Sequence, residues 1–263
     1  MNVIQRLIYL KKLHFNLFKT LYFNFKVFDF KQALKLPVFI YGRCQFEELK
    51  RGCIVLKQPK TGCVKIGGGW YTNMFGFSNR YVSFLRIKGK LILGHNIIIQ
   101  QGILISVNEN AFLKIGNYVR INERTSIHAR VGITIEDKCR IGWNTQIFDT
   151  SFHYMVNNGK ITYRDAPVYL EHNVWLANNV SIMKGSYLPA FTVVASNSLV
   201  NKNMMEIGEH CLIGGIPSKL IHRGVERLLV VDAEVDKLFA SPNDVLLWED
   251  VKGEMSKEIY QNW

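Results

Sequence analysis

The sequence predicts an all-β solenoid in which three short strands make up each turn of the chain. Three observations support this prediction: a run of aliphatic residues six positions apart, a column of small residues four positions after them, and glycines that follow several of the aliphatics. Neither the 3.6-residue period of an α-helix nor the two-residue period of a plain strand produces a period of six. A three-sided coil of about eighteen residues does, because every sixth residue then points inward.

The clearest run of sixes lies between residues 170 and 200. Its first column is aliphatic throughout: Leu170, Leu176, Ile182, Leu188, Val194 and Val200. Its second column is small or β-branched, as expected at tight corners: Val174, Val180, Ser186, Thr192 and Ser198. Earlier segments continue the first column: Leu93, Ile99, Ile115, Ile121, Ile127, Ile135, Ile141 and Ile147. Gly94, Gly116 and Gly142 each follow one of these aliphatics, where we expect the backbone to bend and a missing Cβ to help.

Composition describes a soluble globular protein with reduced thiols. The chain has 263 residues, 48% of them hydrophobic, and no run of apolar residues long enough to cross a membrane. The N-terminus lacks the pattern of a secretion signal. The five cysteines form no CxxC pair, which predicts a cytoplasmic protein without a disulfide framework or a zinc site.

The first 36 residues differ from the rest of the chain. They carry seven Lys or Arg residues against Asp29 alone, and aromatic residues are interleaved with them. We predict a basic, aromatic, helical N-terminal segment that caps the solenoid. A peripheral contact with an anionic membrane, on its inner cytoplasmic face, is the alternative that stays open. Nucleic acid is not predicted as a partner, because no binding motif accompanies the charge.

The sixes break once, and a histidine stands at the break. After Ile147 the next good column begins at Leu170, so residues 148–167 are predicted to leave the coil as a loop. Loops on a rigid scaffold often carry function. His153 lies six residues after Ile147 and four after Asp149. Because imidazole titrates near neutral pH and a carboxylate can orient it, we predict His153 as a general base and Asp149 as its orienting partner.

Several segments together resemble a known family. LKIGNYVRIN, ITIEDKCRIGWNTQIFDTSFH, the block from Val174 to Lys202 and GGIPSKLI are similar to hexapeptide-repeat acyltransferases, particularly O-acetyltransferases of bacterial surface-polysaccharide pathways. The N-terminal FNFKVFDFKQALKLPVFI resembles the lead-in of the capsule-type members. The resemblance covers roughly residues 85–222. It implies a left-handed parallel β-helix, a homotrimer with active sites between neighbouring helices, and acetyl-CoA as acyl donor with no metal. The implied reaction is acetyl transfer to a sugar hydroxyl in capsule, O-antigen or exopolysaccharide biosynthesis.

The resemblance also suggests roles for individual residues. The histidine of the matching D-x-x-x-H stretch is the catalytic base in the family, which again indicates His153. Positions that match the acetyl-CoA site are Trp175, Asn178, Ser196, Asn201, Lys202, Lys219 and His222. Asn122 matches a position at which some members hydrogen-bond the acceptor, and Asn144 is a second candidate for acceptor binding. The chain departs from the family where Trp175-Leu176-Ala177 replaces the usual W-I-G, and where Ala195 and Asn197 replace glycines.

Three other functions are compatible with a β-helix of this kind: a carbonic anhydrase, a sugar N-acyltransferase and a non-catalytic scaffold. A γ-type carbonic anhydrase needs three histidines on zinc, and none of the seven histidines has the His-x4-His spacing of that class. A sugar N-acyltransferase acting on a nucleotide-linked amino sugar uses the same base, and a non-catalytic β-helix scaffold needs none, so both alternatives stay open. The predicted organisation is a helical segment over 1–36, the β-helix acyltransferase domain over 37–222 and a C-terminal helical tail over 223–263.

Overall fold

A computed structural model describes residues 14–68 and 81–228, which form a parallel β-helix with three sides. The chain divides into two units, Met1–Glu226 and Arg227–Trp263, and every helix and strand described below belongs to the first. The predicted helical tail lies outside the described residues apart from its first six, and so does the start of the predicted N-terminal segment.

Two helices precede the coil, α1 (Leu17–Val27) and α2 (Phe30–Ala33). The side chain of Asn16 caps α1 by accepting a hydrogen bond from the backbone N–H of Lys19. The buried face of α1 follows helical spacing and consists of Thr20, Phe23, Asn24 and Val27. The amide of Asn24 donates to the Val38 carbonyl at 2.7 Å and accepts from the Val38 N–H at 3.1 Å, which attaches α1 to the first strand of the coil.

The three sides of the coil are three stacked sheets. The first sheet has nine strands, which pair in parallel except for the last two, which are antiparallel. Its strands are β1 (Val38–Ile40), β4 (Val64–Gly68), β7 (Ile97–Gln100), β10 (Arg120–Ile121), β13 (Arg140–Ile141), β18 (Trp175–Leu176), β21 (Val193–Val194), β23 (Cys211–Gly215) and β24 (Ser218–Arg223). The second sheet has seven: β2 (Arg43–Glu47), β5 (Val82–Ile87), β8 (Leu104–Val107), β11 (Ser126–Ala129), β14 (Gln146–Phe148), β19 (Ser181–Ile182) and β22 (Leu199–Val200). The third has six: β3 (Ile54–Leu56), β6 (Lys90–Leu93), β9 (Phe112–Ile115), β12 (Gly132–Ile135), β17 (Val168–Leu170) and β20 (Tyr187–Leu188).

The predicted columns form the core. Every residue of the first column is at most 1% exposed, and every residue of the second at most 2%. The turn length varies along the coil, because Leu176 pairs with Val194 eighteen residues later, whereas Ile121 pairs with Ile141 twenty residues later. Burial of each aliphatic side chain contributes roughly 1.5–3 kcal/mol, so the stacked columns are the main stabilising feature of the coil.

The corners explain the glycines and many of the asparagines. A Cβ on Gly142 would lie 2.3 Å from the carbonyl oxygen of Ala177 in the next turn. Gly142 does not have a positive φ, so it is required by the close stacking of successive turns and not by the backbone bend that the sequence suggested. Asn144, Asn179 and Asn197 occupy corresponding corner positions with φ of 56°, 57° and 60°, a left-handed conformation that asparagine tolerates well.

Candidate active site

The coil is interrupted once, by the segment between β14 and β17. Leu170 pairs with Ile135, thirty-five residues before it, whereas Leu188 pairs with Leu170 only eighteen residues before it. The extra residues form the excursion loop (residues 149–167), which is one residue shorter than predicted because Phe148 still pairs with His128 in β14. Its middle is a small antiparallel hairpin of β15 (Met155–Asn157) and β16 (Lys160–Thr162), and all six of those residues are exposed.

The two ends of the excursion loop are held together where they leave the coil. The Thr150 hydroxyl donates to the Asp165 carboxylate at 2.5 Å, and the Ser151 N–H donates to the Arg164 carbonyl at 2.9 Å. The Ala166 N–H donates to the Asp149 carbonyl at 2.9 Å. The base of the loop is therefore closed by both backbone and side-chain hydrogen bonds.

Two buried carboxylates fasten this base to the preceding turn of the coil. Asp149 is fully buried and accepts hydrogen bonds from the backbone N–H groups of Arg130, Val131 and Gly132 at 2.7–2.8 Å. Asp165 lies 3.3 Å from the guanidinium Nε of Arg130. Burial acts to raise the pKa of Asp165, but the Thr150 hydrogen bond and the nearby arginines outweigh it and hold the pKa below its ordinary value. We call Arg130, Asp149, Thr150 and Asp165 the loop clasp.

His153 stands on the exposed part of the loop, three residues beyond Thr150. Its backbone N–H donates to the Ser151 carbonyl at 2.7 Å, and the Ser151 hydroxyl donates to the His153 carbonyl at 3.0 Å. Within the described part of the chain, the imidazole nitrogens make no hydrogen bond. The imidazole is therefore accessible to a substrate, and the backbone that carries it is held in place by local hydrogen bonds. A general base needs both properties, and the catalytic role of His153 stays a prediction.

Asp149 is not the partner that the sequence predicted for His153. Both oxygens of its carboxylate accept hydrogen bonds from the backbone N–H groups of Arg130, Val131 and Gly132, and within the described residues it makes no hydrogen bond with the imidazole. The cause is the direction of the chain: Asp149 still points into the coil, whereas the backbone has left the coil before it reaches His153. The carboxylate positions the loop and does not orient the ring.

Sequence reasoning missed His128, which packs beneath the loop. Its ring centroid lies 5.2 Å from that of Phe152, the residue before His153, and 6.4 Å from that of Phe148. Burial lowers the pKa of His128, Asp149 and Asp165 act to raise it, and Arg130 and Arg86 act to lower it further. The sequence did contain a signal for His128. It follows the inward-pointing Ile127, so it must lie on the outward face of its strand, one turn before the break in the sixes.

The predicted donor-site residues occupy two different edges of the prism. Asn178 and Ser196 lie in consecutive turns of the edge between the first and second sheets, where the Asn197 N–H donates to the Asn178 carbonyl at 3.0 Å. Asn201 and Lys202 follow β22 on the edge between the second and third sheets, which is also the edge from which the excursion loop leaves. Ser196, Asn201 and Lys202 are exposed, and within one chain they do not converge.

The remaining predicted donor-site residues lie on the first sheet. Trp175 is in β18, with its side chain 36% exposed. Lys219 and His222 are exposed in β24, the last strand, and the His222 Nδ1 lies 2.5 Å from the Arg223 carbonyl oxygen. Both are available to a ligand, although the ring of His222 already has a backbone partner.

The predicted acceptor residues differ in their surroundings. The Asn122 amide is 2.9 Å from the amide of Gln100, in a half-buried position beside the fully buried Glu123. Asn144 occupies a left-handed corner position, and its N–H donates to the Glu123 carbonyl at 3.1 Å. The turn geometry is therefore a sufficient reason for asparagine at position 144, whereas Asn122 has a polar partner and no such conformational reason.

The cysteines and histidines form no metal site in the described residues, where no group of three or more His, Cys, Asp or Glu side chains converges. No disulfide bond joins any of the five cysteines, which all lie in the described residues, and burial raises the pKa of the Cys44 thiol to about 11. No helix of the described segments is long and apolar enough to cross a bilayer.

Comparison with solved structures shows which fold this is. The chain superposes on the polysialic-acid-specific acetyltransferase NeuO with a TM-score of 0.52 and 17% identity, over 86% of this chain and 89% of that one. The chain has the fold of the hexapeptide-repeat acetyltransferases. The left-handed parallel β-helix implied by the sequence resemblance is thereby confirmed.

Sequence comparison finds two curated relatives. An uncharacterised 24.8 kDa protein of the cps region of Klebsiella pneumoniae is 24% identical over 201 residues, which are 76% of this chain and 86% of the relative. The putative lipopolysaccharide biosynthesis O-acetyl transferase WbbJ of Escherichia coli K12 is 23% identical over 199 residues, which are 70% of this chain and 90% of the relative. No family model matches the sequence.

Proposed function

We propose that this protein is an acyl-CoA-dependent acyltransferase that moves an acetyl group from acetyl-CoA to a sugar hydroxyl. The observation that carries the proposal is the exposed imidazole of His153 on a loop that the clasp fastens to a rigid coil. The fold is shared with the acetyltransferase NeuO, and the relative WbbJ is a putative O-acetyl transferase of lipopolysaccharide biosynthesis. Both support an acyltransferase, and the second supports a surface-polysaccharide acceptor.

The chemistry needs one base. A sugar hydroxyl is a weak nucleophile while it is protonated, so His153 would accept its proton as the oxygen attacks the thioester carbonyl carbon. The tetrahedral intermediate then collapses, the carbon–sulfur bond breaks, and the proton on the imidazole passes to the departing thiolate. Backbone N–H groups at the corners are suitable donors for the oxyanion of that intermediate. The products are an acetyl ester and free CoA thiol.

The donor would lie along the coil beyond the loop. Coenzyme A has a pantetheine arm with two amides and a polyanionic nucleotide, which suits exposed backbone along a groove with lysines at its end. The predicted contacts Trp175, Asn178 and Ser196 are on the first-sheet side, Asn201 and Lys202 are on the loop side, and Lys219 and His222 are on the last strand. Because these residues fall on two edges of one chain, a complete site needs two chains.

A homotrimer supplies that arrangement. If three prisms pack around a common axis, the loop edge of one chain faces the Asn122–Asn178 edge of its neighbour, and the donor residues of both edges meet in one cleft. Analytical ultracentrifugation tests this directly, because the proposal requires a sedimenting species of three chains, and a monomer that retains full activity contradicts it.

The N-terminal helices present an exposed apolar patch flanked by lysines, which suits contact with an anionic membrane surface. One face of α1 is buried, yet the opposite face is also apolar, and Phe18 is 84% exposed. The patch continues into α2, because the rings of Phe25 and Phe30 are 5.9 Å apart. Its exposed apolar members are Leu17, Phe18, Leu21, Tyr22, Phe25, Phe30 and Leu34. Lys26, Lys31 and Lys35 are exposed beside it, so the patch favours an anionic bilayer over a second copy carrying the same charges.

An assay of thiol release tests the main proposal. Purified protein is incubated with acetyl-CoA and a panel of surface-glycan precursors, including amino sugars, and free thiol is measured together with the mass of the sugar product. The proposal expects an acetyl ester that mild base removes. An acetamide product would instead indicate the N-acyltransferase, and no thiol release with any acyl-CoA and no acyl-CoA binding would leave the non-catalytic scaffold.

A further inference from the structure

An arginine of the second sheet lacks the partner that a half-buried cation needs. Arg86 lies in β5, and its Nε is buried without a hydrogen-bond partner. Across the described segments, its guanidinium makes neither a hydrogen bond nor an ion pair. A buried N–H group without a partner is unfavourable, so the unpaired Nε of this half-exposed guanidinium points to something that binds there.

Arg86, Ser106 and His128 are three consecutive polar residues in one row of the second sheet, with Glu47 on the strand before them. Arg86 pairs in register with Ser106, and Ser106 pairs with His128, so their Cα atoms follow one another at the strand spacing of about 4.8 Å. Ser106 is only 4% exposed, and its hydroxyl also has no partner. Since the neighbouring Leu85, Ile105 and Ile127 point into the core, all three polar side chains are on the outward face.

The charges around this row are already accounted for. Arg130 is paired with Asp165, and the Asp149 carboxylate is engaged by backbone N–H groups. Glu47 is in register with Arg86 on the next strand, but it is exposed and no ion pair joins the two among the residues described. The row therefore presents an unneutralised positive charge with two further hydrogen-bonding groups beside it.

The row lies on the acceptor side of the loop. The order of strands in the second sheet is β2, β5, β8, β11, β14, β19 and β22, and the loop leaves after β14. Arg86, Ser106 and His128 are on the strands before the loop, whereas Asn201 and Lys202, the predicted donor contacts, follow the last strand. The contact of His128 with Phe152 brings the end of the row to the residue before His153.

We propose that Arg86, Ser106 and His128 form a subsite for an anionic oxygen group of the acceptor, so that the acceptor is an acidic sugar or a sugar phosphate. The inference rests on the proposed function and specifies its substrate class. The guanidinium fork binds a carboxylate or phosphate through two N–H groups, and the Ser106 hydroxyl supplies a third donor. Burial lowers the pKa of His128, so at neutral pH its uncharged ring donates one N–H to the same group.

Direct binding of simple sugars tests the subsite without acyl-CoA. Saturation-transfer NMR titrations use glucuronic acid, glucose 1-phosphate and glucose with the full chain. We expect one or both charged sugars to bind at least about tenfold more tightly than glucose, and which of them does so distinguishes carboxylate from phosphate. Equal binding of glucose and both charged sugars overturns the proposal.

Variants assign the binding to the row. Arg86→Gln should weaken the charged sugar about tenfold or more, Arg86→Lys should restore part of that loss, and the exposed Arg43→Gln on the same sheet should leave binding unchanged. Should Arg86→Gln not fold, Ser106→Ala, which only removes a hydroxyl, must still weaken binding several-fold. Unchanged binding in the variants overturns the proposal, and so does disassembly of the oligomer by Arg86→Gln, which would mean that a carboxylate of a neighbouring chain occupies the row.

His153→Ala separates this inference from the proposed function. The variant should retain binding of the charged sugar and lose acetyl transfer. Charged-sugar binding in a wild-type protein that releases no thiol from any acyl-CoA would contradict the proposed function and retain the anion site. Acetyl transfer to neutral sugars, with no advantage for charged ones, would contradict the anion site and retain the enzyme.

Discussion

The hydroxyl of Thr150 and the carboxylate of Asp165 are joined by a 2.5 Å hydrogen bond across the base of the excursion loop. The same carboxylate is paired with Arg130 on the preceding turn, so one buried group connects both ends of the loop to the coil. The position of His153 depends on this connection, because the hairpin beyond it is exposed on all sides.

Asp165→Asn should loosen the loop and reduce turnover. The amide cannot replace the charge that Arg130 faces, and we expect kcat to fall at least about tenfold while KM for acetyl-CoA changes little, with a loss of about 1–3 kcal/mol in the free energy of unfolding. Steady-state kinetics and chemical denaturation measure both, and faster trypsin cleavage at Lys160 reports the loosened hairpin. The control Glu136→Gln breaks the more exposed 2.6 Å pair with Lys114 and should cost under about 1 kcal/mol. Wild-type kcat in Asp165→Asn would contradict a positioning role.

His153→Ala should leave a folded protein that turns over at least about a hundredfold more slowly, because the base is missing and the exposed ring contributes little to packing. Turnover with acetyl-CoA and a thermal melt are the measurements. His172→Ala serves as the matched control, since His172 is also an exposed histidine but packs on Phe191 at another corner. Near-normal turnover in His153→Ala would exclude it as the base.

His128 should make the protein less stable in mild acid. Its pKa in the fold is below the ordinary 6.5, so as pH falls below about 6.5 the unfolded chain binds a proton that the folded chain resists, and the free energy of unfolding decreases. Replacement by glutamine removes this proton uptake, and His128→Gln should therefore show a flatter pH dependence between about pH 6.5 and 5. Urea denaturation at several pH values measures it, with His172→Gln as control. Parallel slopes for His128→Gln and wild type would refute the expectation.

Gly142→Ala should destabilise the coil by more than its single methyl group suggests. The added Cβ meets the Ala177 carbonyl at 2.3 Å, and both atoms belong to or are fixed by backbone, so two turns must separate locally. We expect a loss of about 1–3 kcal/mol, measured by denaturation. The comparison is Ser181→Ala, a small change on an outward strand position. If both variants are as stable as wild type, turn stacking is looser than described.

The double variant Phe18→Ser, Phe30→Ser should release the protein from anionic vesicles. These rings are the most exposed of the apolar patch, at 84% and 68%, and they contribute nothing to the core. Flotation with vesicles of phosphatidylglycerol and phosphatidylethanolamine should recover wild type and not the variant, whereas phosphatidylcholine vesicles should recover neither. Phe112→Ser, a partly exposed ring on the third sheet, is the control. Equal recovery of all three proteins with anionic vesicles would remove the patch as the contact.

The periodic part of the fold was predictable because a side chain that points into a narrow prism must be aliphatic. Between Leu170 and Val200 each turn has eighteen residues, so the columns are visible in the sequence. Before Ile147 the turns are longer, and the column is recognisable only in pieces. The first turns are longer still, because Ile40 pairs with Ile66 and Ile66 pairs with Ile99, twenty-six and thirty-three residues later, so no column is recognisable there although both isoleucines are fully buried.

The position of the excursion loop was predictable, but the contacts at its base were not. The break in the sixes located the loop and His153, because both depend on residue spacing. The role of Asp149 was wrong because spacing does not tell whether a side chain still faces the coil when the backbone turns away. Asp165, Arg130 and Arg86 carried no signal, since they come together only through register between strands that are distant in sequence.

The clasp makes the hairpin a replaceable part. Because every bond that anchors the segment involves the residues at its two ends, the stretch from Met155 to Thr162 can be exchanged for one of different length or composition while the prism beneath it stays intact. Evolution can therefore vary this surface by exchanging a few residues at a time, and a protein engineer can attempt the same graft between coils that keep an aspartate at each end.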